Sequence, residues 1–318
     1  MKQFTPKIPE EFNFSEILYK KSDWVGTITI NRPEVYNAYS IITLQEMITA
    51  LQDASWDDGI AVIIITGAGE KAFCTGGDVK EYASEFINRP RDFYKWMGVF
   101  NQFHDLLRNC GKPTIARLNG MVVGGGNEIN MSCDLAVAAE HVTIKHVGTS
   151  IGSVAAGGAT QFLPIIVGDR RAREILLLNE SINAQKALEW GLVNYVVPYE
   201  ELDSKINELT QKLINKFPEC TRYTKQQLNF WKDFAWHSTI GHAKDWLSLH
   251  FSSLEVHEGM QGFVEKRNPD YLKIREKAKN NQSSETLWGA NLKECKTCKT
   301  KYLPEEFHFC GKCGSSLH

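Results

Sequence analysis

The sequence predicts an α/β fold: strands alternate with helices, a helix-only third follows, and a small cysteine-bearing module closes the chain. Three observations carry this. Short runs rich in β-branched residues recur between stretches of helical periodicity, the pattern of layered α/β architecture. The last third before the module reads as helix alone. Composition then shifts sharply near residue 279, where Asn280, Asn281, Gln282, Ser283 and Ser284 form a polar linker.

Taken in order, Trp24 to Ile30 reads as a β-branched strand stopped by Asn31-Arg32-Pro33. Ser40 starts a helix through about Ala54, with Ile41, Leu44, Met47, Ile48 and Leu51 on one face. Ala61 to Thr66 is continuously apolar, as a fully buried strand is. Pro113 to Leu118 and Leu135 to Ala139 are further core strands. Helices are expected at Arg91 to Arg108, Gly126 to Cys133 and Thr160 to Val167. Others follow at Arg170 to Leu178, Ala184 to Trp190, Glu200 to Lys216, Thr224 to Trp236 and Ala243 to Lys266. No internal repeat is visible. The expected organisation is a main domain over 14–279, a linker over 280–287 and a separate module over 288–318.

Of the 318 residues, 42% are hydrophobic and 23% charged, as in globular proteins. Thirty-six basic against 38 acidic residues give −2, which argues against a globally basic nucleic-acid binder. The apolar run Ala61 to Ile65 is far too short to cross a bilayer. The opening MKQFTPKIPEEF is polar and lacks a signal-peptide core. A cytoplasmic protein with reduced thiols and no membrane or nucleic-acid partner is expected.

Glycine is unevenly placed, with 14 of the 24 between Gly67 and Gly158. Two clusters, Thr75-Gly76-Gly77-Asp78 and Gly124-Gly125-Gly126, each follow an apolar stretch and lead into a helical one. Such turns aim free backbone N–H groups at one spot and can act as an oxyanion hole; two merely tight turns are the alternative. Gly67-Ala68-Gly69-Glu70-Lys71-Ala72 fits a dinucleotide fingerprint, but Phe73 to Gly77 follow where that fingerprint demands a helix. Glu128, three residues beyond Gly125, falls in the first turn of the next helix and is the candidate acid/base group.

The run Ala72 to Glu81, including Thr75-Gly76-Gly77-Asp78-Val79, resembles the first oxyanion loop of the crotonase (enoyl-CoA hydratase/isomerase) superfamily. Asn119-Gly120 through Gly124-Gly125-Gly126-Asn127-Glu128 to Cys133-Asp134 resembles the second. The likeness continues through Gly157-Gly158-Ala159-Thr160 to Gly259–Arg267 and covers about residues 14 to 277. It implies a spiral of ββα turns around an acyl-CoA site, assembled as trimers or hexamers. By the same resemblance, a thioester carbonyl sits between the N–H groups of Gly77 and Gly125, and backbone around Thr75 and Val79 holds the adenine. Lys266, with Phe263, reaches coenzyme A. The run Glu265 to Lys279, six basic and three acidic residues, is compatible with phosphate or is simply a solvated helix.

Hydratases of this superfamily pair the first glutamate with a second, whose position is Gly148 here. The string His146 to Ala155 resembles instead the ring-cleaving branch: naphthoyl-CoA synthases, ketocyclohexanecarboxyl-CoA hydrolases and 6-oxocyclohex-1-ene-1-carbonyl-CoA hydrolases. Some of these carry an aspartate where Ala155 stands. The implied activity is addition of water to a cyclic enoyl-CoA with hydrolytic ring opening. An open-chain enoyl-CoA hydratase and a non-catalytic acyl-CoA scaffold are the alternatives. His146 is a candidate proton or hydrogen-bond donor, as are Ser153 and Tyr82, each with a structural reading beside it. Cys74 and Cys133 read as packed thiols.

Cys295-Lys296-Thr297-Cys298 and Cys310-Gly311-Lys312-Cys313 form two C-x-x-C knuckles eleven residues apart. Four thiolates so spaced close a tetrahedral shell around zinc, with no open position for catalysis; a disulfide pair is the alternative. A segment of 31 residues (288–318) has too little core to fold without its metal. It loosely resembles zinc ribbons of acyl-CoA-handling proteins, which implies docking to a partner protein.

Overall fold

The computed structural model describes residues 6–318; the first five residues of the polar opening read above lie outside them. The chain divides into two compact units. The first comprises residues up to 78, 94–149 and 153–246; the second comprises 79–93, 150–152 and 247–318.

The elements run β1 (Ile17–Ser22), β2 (Val25–Ile30), α1 (Ile41–Trp56), β3 (Val62–Gly67), β4 (Ala72–Cys74), α2 (Val79–Glu81) and α3 (Pro90–Asn109). Next come β5 (Thr114–Leu118), β6 (Met121–Val123), α4 (Gly125–Ser132), β7 (Leu135–Ala139), β8 (Thr143–Lys145), α5 (Ala159–Val167) and α6 (Asp169–Arg173). Then follow β9 (Ile182–Asn183), α7 (Ala184–Glu189), β10 (Tyr195–Val197) and α8 (Leu202–Ile214). The chain continues through α9 (Pro218–Leu228), α10 (Phe230–His250), α11 (Leu254–Glu265) and α12 (Tyr271–Lys279).

Two sheets organise the first unit. The larger has the order β1-β2-β3-β5-β7-β10, parallel except for β1, and the smaller has β4-β6-β8-β9, parallel except for β9. Successive strand pairs, β3–β4, β5–β6 and β7–β8, thus place one strand in each sheet before the chain turns away into helix. That is the expected ββα spiral. All six residues of β3 are buried, as a parallel strand covered on both faces requires. Ser40 caps α1 as expected: its hydroxyl accepts from Ile42 and Thr43 N–H, and the Thr43 hydroxyl accepts from Ser40 N–H.

The differences from the sequence reading are local. β1 pairs with β2 through Asp23 and Trp24, both at positive φ (51° and 68°), so the first strand is a hairpin arm. The helix expected over Thr224 to Trp236 is two: α9 begins at Pro218, in the N1 position proline favours, and Asn229 ends it. The helix expected over Ala243 to Lys266 is also broken. The Ser253 side chain accepts from Val256 N–H and starts α11 afresh.

In the second unit, Tyr82, Phe86, Phe93 and Phe251 form an aromatic core, with the Phe93 and Phe251 rings stacked. The cysteine module belongs to this unit. Lys277 of α12 pairs with Glu306, and Leu254 N–H at the start of α11 donates to Glu285 C=O (2.9 Å). Among the described residues, no helix is long and apolar enough to cross a membrane.

Candidate active site

Two glycine turns of the first unit approach each other where β4 and β6 end. A methyl placed on Gly76 would lie 3.0 Å from Gly125 N. Tyr39, one residue before the cap of α1, brackets the first turn with its peptide. Its N–H donates to Gly76 C=O and its C=O accepts from Asp78 N–H, both at 2.9 Å. This parallel bridge leaves Gly77 N–H directed away from Tyr39. Gly125 is the first residue of α4, where helix geometry offers its N–H no partner. Among the described residues, neither N–H makes a hydrogen bond. Two such donors can hold a negative oxygen.

The second turn has no room for side chains. A Cβ on Gly125 would come within 2.0 Å of Tyr39 Oη, and one on Gly126 within 2.0 Å of Cys74 C=O. Tyr39 therefore touches both turns, its peptide on one and its hydroxyl on the other.

Glu128 lies one turn into α4 and is buried. Its Oε1 accepts from Gly157 N–H (2.7 Å) and Ala159 N–H (3.1 Å). Oε2 accepts no hydrogen bond among the described residues, yet it is not wholly enclosed. A Cβ on Gly157 would fall 2.4 Å from Oε2 and 2.5 Å from Phe100 Cζ, so the carboxylate and the ring edge crowd the same point. Burial pushes the Glu128 carboxyl up to about 7, and the two N–H bonds only partly oppose this. A carboxyl so placed exchanges a proton at neutral pH.

His146 is buried, and burial lowers its pKa to about 4, so it is neutral near pH 7. Asn127 Nδ2 donates to its Nε2 (3.0 Å), an orientation consistent with Asn127 Oδ1 accepting from Asn130 Nδ2 (3.1 Å). The proton then sits on Nδ1, which is wholly buried without a partner. His146 thus reaches α4 through the residue preceding Glu128. A second buried histidine, His104, contacts Ser132 Oγ (3.2 Å), whose hydroxyl donates to Glu128 C=O (2.8 Å).

At Gly148, a Cβ would lie 3.0 Å from Ser153 C=O, and Ser153 N–H donates to Gly148 C=O (2.8 Å). A side chain at this position would be tight against the backbone of Ser153 and Ala155. Cys74 and Cys133 are buried, and burial pushes both thiols up to about 12. A cavity of 1160 Å³ lies elsewhere in the first unit. It is bordered by Trp24, Ala61 and Pro113 just before β2, β3 and β5, and neither Glu128 nor the glycine turns border it.

Thr75 belongs to the first unit, where its hydroxyl donates to Tyr36 C=O (3.2 Å). Val79, Phe263 and Lys266 belong to the second. Val79 opens α2, Phe263 is 53% exposed on α11, and Lys266 ends that helix at φ 58°. Tyr82 lies in the aromatic core of that unit. Tyr39, Phe100 and His104 carry no sequence signal, because what places them is contact across long separations.

The four module cysteines form one cluster with all Sγ atoms within 4.8 Å of one another. Cys295–Cys313 and Cys298–Cys310 Sγ separations are 3.6 Å. That is far from a bonded disulfide and close to the edge, about 3.8 Å, of a tetrahedron with 2.3 Å zinc–sulfur bonds. The knuckles repeat one backbone pattern. Lys299 N–H donates to Cys295 C=O and Gly314 N–H to Cys310 C=O, while Cys295 and Cys310 N–H donate to Thr300 and Ser315 C=O. Lys299 and Gly314 share the left-handed conformation this turn needs. The donor set fits a metal held by four thiolates.

A profile of the enoyl-CoA hydratase/isomerase family matches residues 20–274. Among solved structures, an enoyl-CoA hydratase from Mycobacterium avium subsp. paratuberculosis K-10 is similar at 25% identity and TM-score 0.73, over 81% of this chain and 98% of that one. An enoyl-CoA hydratase from Bacillus anthracis is similar at 31% identity and TM-score 0.64, over 81% and 99%. A third, from Geobacillus kaustophilus HTA426, shows 31% identity and TM-score 0.64, over 81% and 98%.

Proposed function

Because this chain belongs to the enoyl-CoA hydratase/isomerase family, we propose that the buried carboxylate of Glu128 adds water to a cyclic enoyl-CoA and then opens the ring by hydrolysis. The observation that carries this is Glu128: one oxygen is fixed by two backbone N–H groups, the other is unpaired, and the carboxyl is poised near neutrality. In this reading the thioester oxygen rests on Gly77 and Gly125 N–H. Glu128 takes a proton from water as its oxygen bonds to the β-carbon, and the displaced electron pair moves onto the thioester oxygen. The enolate then takes the proton back at the α-carbon. Ring opening requires a ring that also carries a ketone bonded to the thioester-bearing α-carbon. Glu128 takes a proton from a second water as its oxygen bonds to the ketone carbon. The bond from that carbon to the α-carbon then breaks, its electron pair moving onto the thioester oxygen. The ketone carbon becomes a carboxylic acid, and the enolate takes the proton at the α-carbon.

The loop at Gly148 and Ser153 supports a chemistry that does not use a second glutamate. Open-chain hydration is the second reading, favoured by the similar structures that are described as enoyl-CoA hydratases. His146 is proposed to act on Glu128 through Asn127 and α4. Thr75, Val79, Phe263 and Lys266 remain proposed coenzyme A contacts, and assembly as trimers or hexamers is carried over from the family. The four cysteines are proposed to hold a structural zinc in a ribbon that docks a partner protein.

The test is incubation of the protein with linear and cyclic enoyl-CoAs followed by mass analysis. A gain of about 18 Da marks one water and about 36 Da marks hydration with ring opening. Glu128→Gln is expected to lose at least ~100-fold in turnover while still binding CoA esters. Unchanged turnover would remove Glu128 from the mechanism, and a wild-type product limited to linear esters would favour the second reading.

A further inference from the structure

We propose that a buried side-chain relay, from the Leu192 carbonyl through Asn130 and Asn127 to His146, sets the rotation of the first turn of α4. Asn127, Asn130 and His146 are then positioning residues for Glu128 and for Gly125 N–H. This rests on the reading that an acyl-CoA thioester reacts at those two groups, and it assigns what holds them in place. All the residues involved belong to the first unit.

Little within α4 fixes its own start. The helix opens with two glycines, which are poor helix formers, and no side chain caps it. The end of β8 supplies what is missing through two successive residues. Lys145 C=O accepts from Gly124 N–H (2.8 Å) just before the helix, and His146 Nε2 accepts from Asn127 Nδ2 (3.0 Å) inside its first turn. The backbone bond places the turn, and the side-chain bond fixes its rotation. Asn130 lies three residues on, along the same face, and extends the relay. Its Nδ2 donates to Asn127 Oδ1 (3.1 Å) and to Leu192 C=O (3.4 Å). Leu192 is itself anchored on α7, where its N–H donates to Ala187 C=O (2.8 Å). Asn127, Asn130 and His146 are all buried.

Leu192 gives the relay its direction. A carbonyl oxygen only accepts, so Asn130 turns its amide nitrogen toward it, Asn127 presents its oxygen to Asn130, and His146 accepts at Nε2. Reversing the order would set Asn130 Oδ1 against Leu192 C=O. His146 is therefore a fixed acceptor and not a proton shuttle, because a proton on Nε2 would face the Asn127 N–H. A buried relay of this kind holds its geometry, since breaking one link leaves a buried polar group unpaired.

Tautomer and turnover test this separately. Nitrogen-15 NMR of the histidine-labelled wild-type protein at pH 7, with His146 assigned by the loss of its signals in a His146 variant, is expected to show a neutral ring protonated at Nδ1. A ring protonated at Nε2 overturns the relay. In kinetics, His146→Leu removes the acceptor and is expected to lower kcat about tenfold or more with KM within about threefold. His146→Gln, whose amide oxygen can accept from Asn127, should recover most of that loss. Equal losses in the two variants would make the imidazole itself the needed group and overturn the positioning role, as would an unchanged kcat in His146→Leu. A wild type that turns over no enoyl-CoA overturns the acyl-CoA reading, while the histidine spectrum still decides the relay.

Discussion

Glu128 owes its character to an imbalance between burial, which disfavours its charge, and two N–H donors that favour it. Burial wins, and the consequence for stability has a definite sign. A carboxyl whose folded pKa exceeds its unfolded value binds its proton more tightly in the folded state. Its contribution is complete below about pH 4.5 and is lost as pH rises through about 7. The displacement corresponds to on the order of 3 kcal/mol. Glutamine has an amide oxygen to accept both N–H bonds and no proton to lose. Glu128→Gln is therefore expected to be increasingly more stable than wild type between pH 5 and pH 8, with the difference levelling off above that. Urea melts across this range test it; a difference independent of pH would place the carboxyl near its ordinary range. The substitution proposed to remove the chemistry is thus expected to stabilise the fold, as where a buried carboxylate is retained for function.

The glycine turns act as a pair only if something fixes their spacing, and Tyr39 touches both. Tyr39→Leu keeps the peptide bridge to Gly77 but removes the phenol packed on Gly125. It is expected to lower kcat about tenfold or more with KM within about threefold, because in the proposed mechanism a displaced donor stabilises the enolate less while ground-state binding persists. Tyr39→Phe, which keeps the ring, should recover most of the loss; a rise in KM alone would instead make Tyr39 a general binding contact. The turns themselves were legible, since adjacent glycines directly after an apolar strand mark a backbone that must bend sharply or meet another backbone closely. So were β2, β3, β5, β7 and α1. Their short partners were not. β4, β6 and β8 have three residues each and β9 only two, too few to display a period. β1 was hidden because its hairpin turn is built from Asp23-Trp24 rather than the usual Asn-Gly. The broken helices did carry signals, Phe217-Pro218 and the capping Ser253, but a continuous apolar pattern ran across both.

The chain's two units hold different kinds of stability. The first buries two sheets and Glu128 in a large apolar core. The cysteine module has no comparable core: among its large side chains, Trp288, Leu292, Tyr302 and Phe309 are exposed, and the buried residues include Cys295 and Cys310 themselves. A metal held by the four thiolates would supply the folding energy that this core lacks. Hydrogen bonds involving Thr300 bring the Cys298 thiol down to about 6, which readies that sulfur as a thiolate ligand. Metal analysis is expected to find one zinc per chain. After chelation, hydrogen-exchange mass spectrometry should show loss of protection over residues 288–318, while peptides of β3, β5 and β7 keep theirs. The C-terminal turn of α12 should loosen as well, because Lys277 loses the position of Glu306. Restoring zinc should restore protection, whereas magnesium, which prefers oxygen ligands, should not. Module peptides that stay protected without metal would mean that the knuckle backbone holds itself, and the four cysteines would lose their structural role.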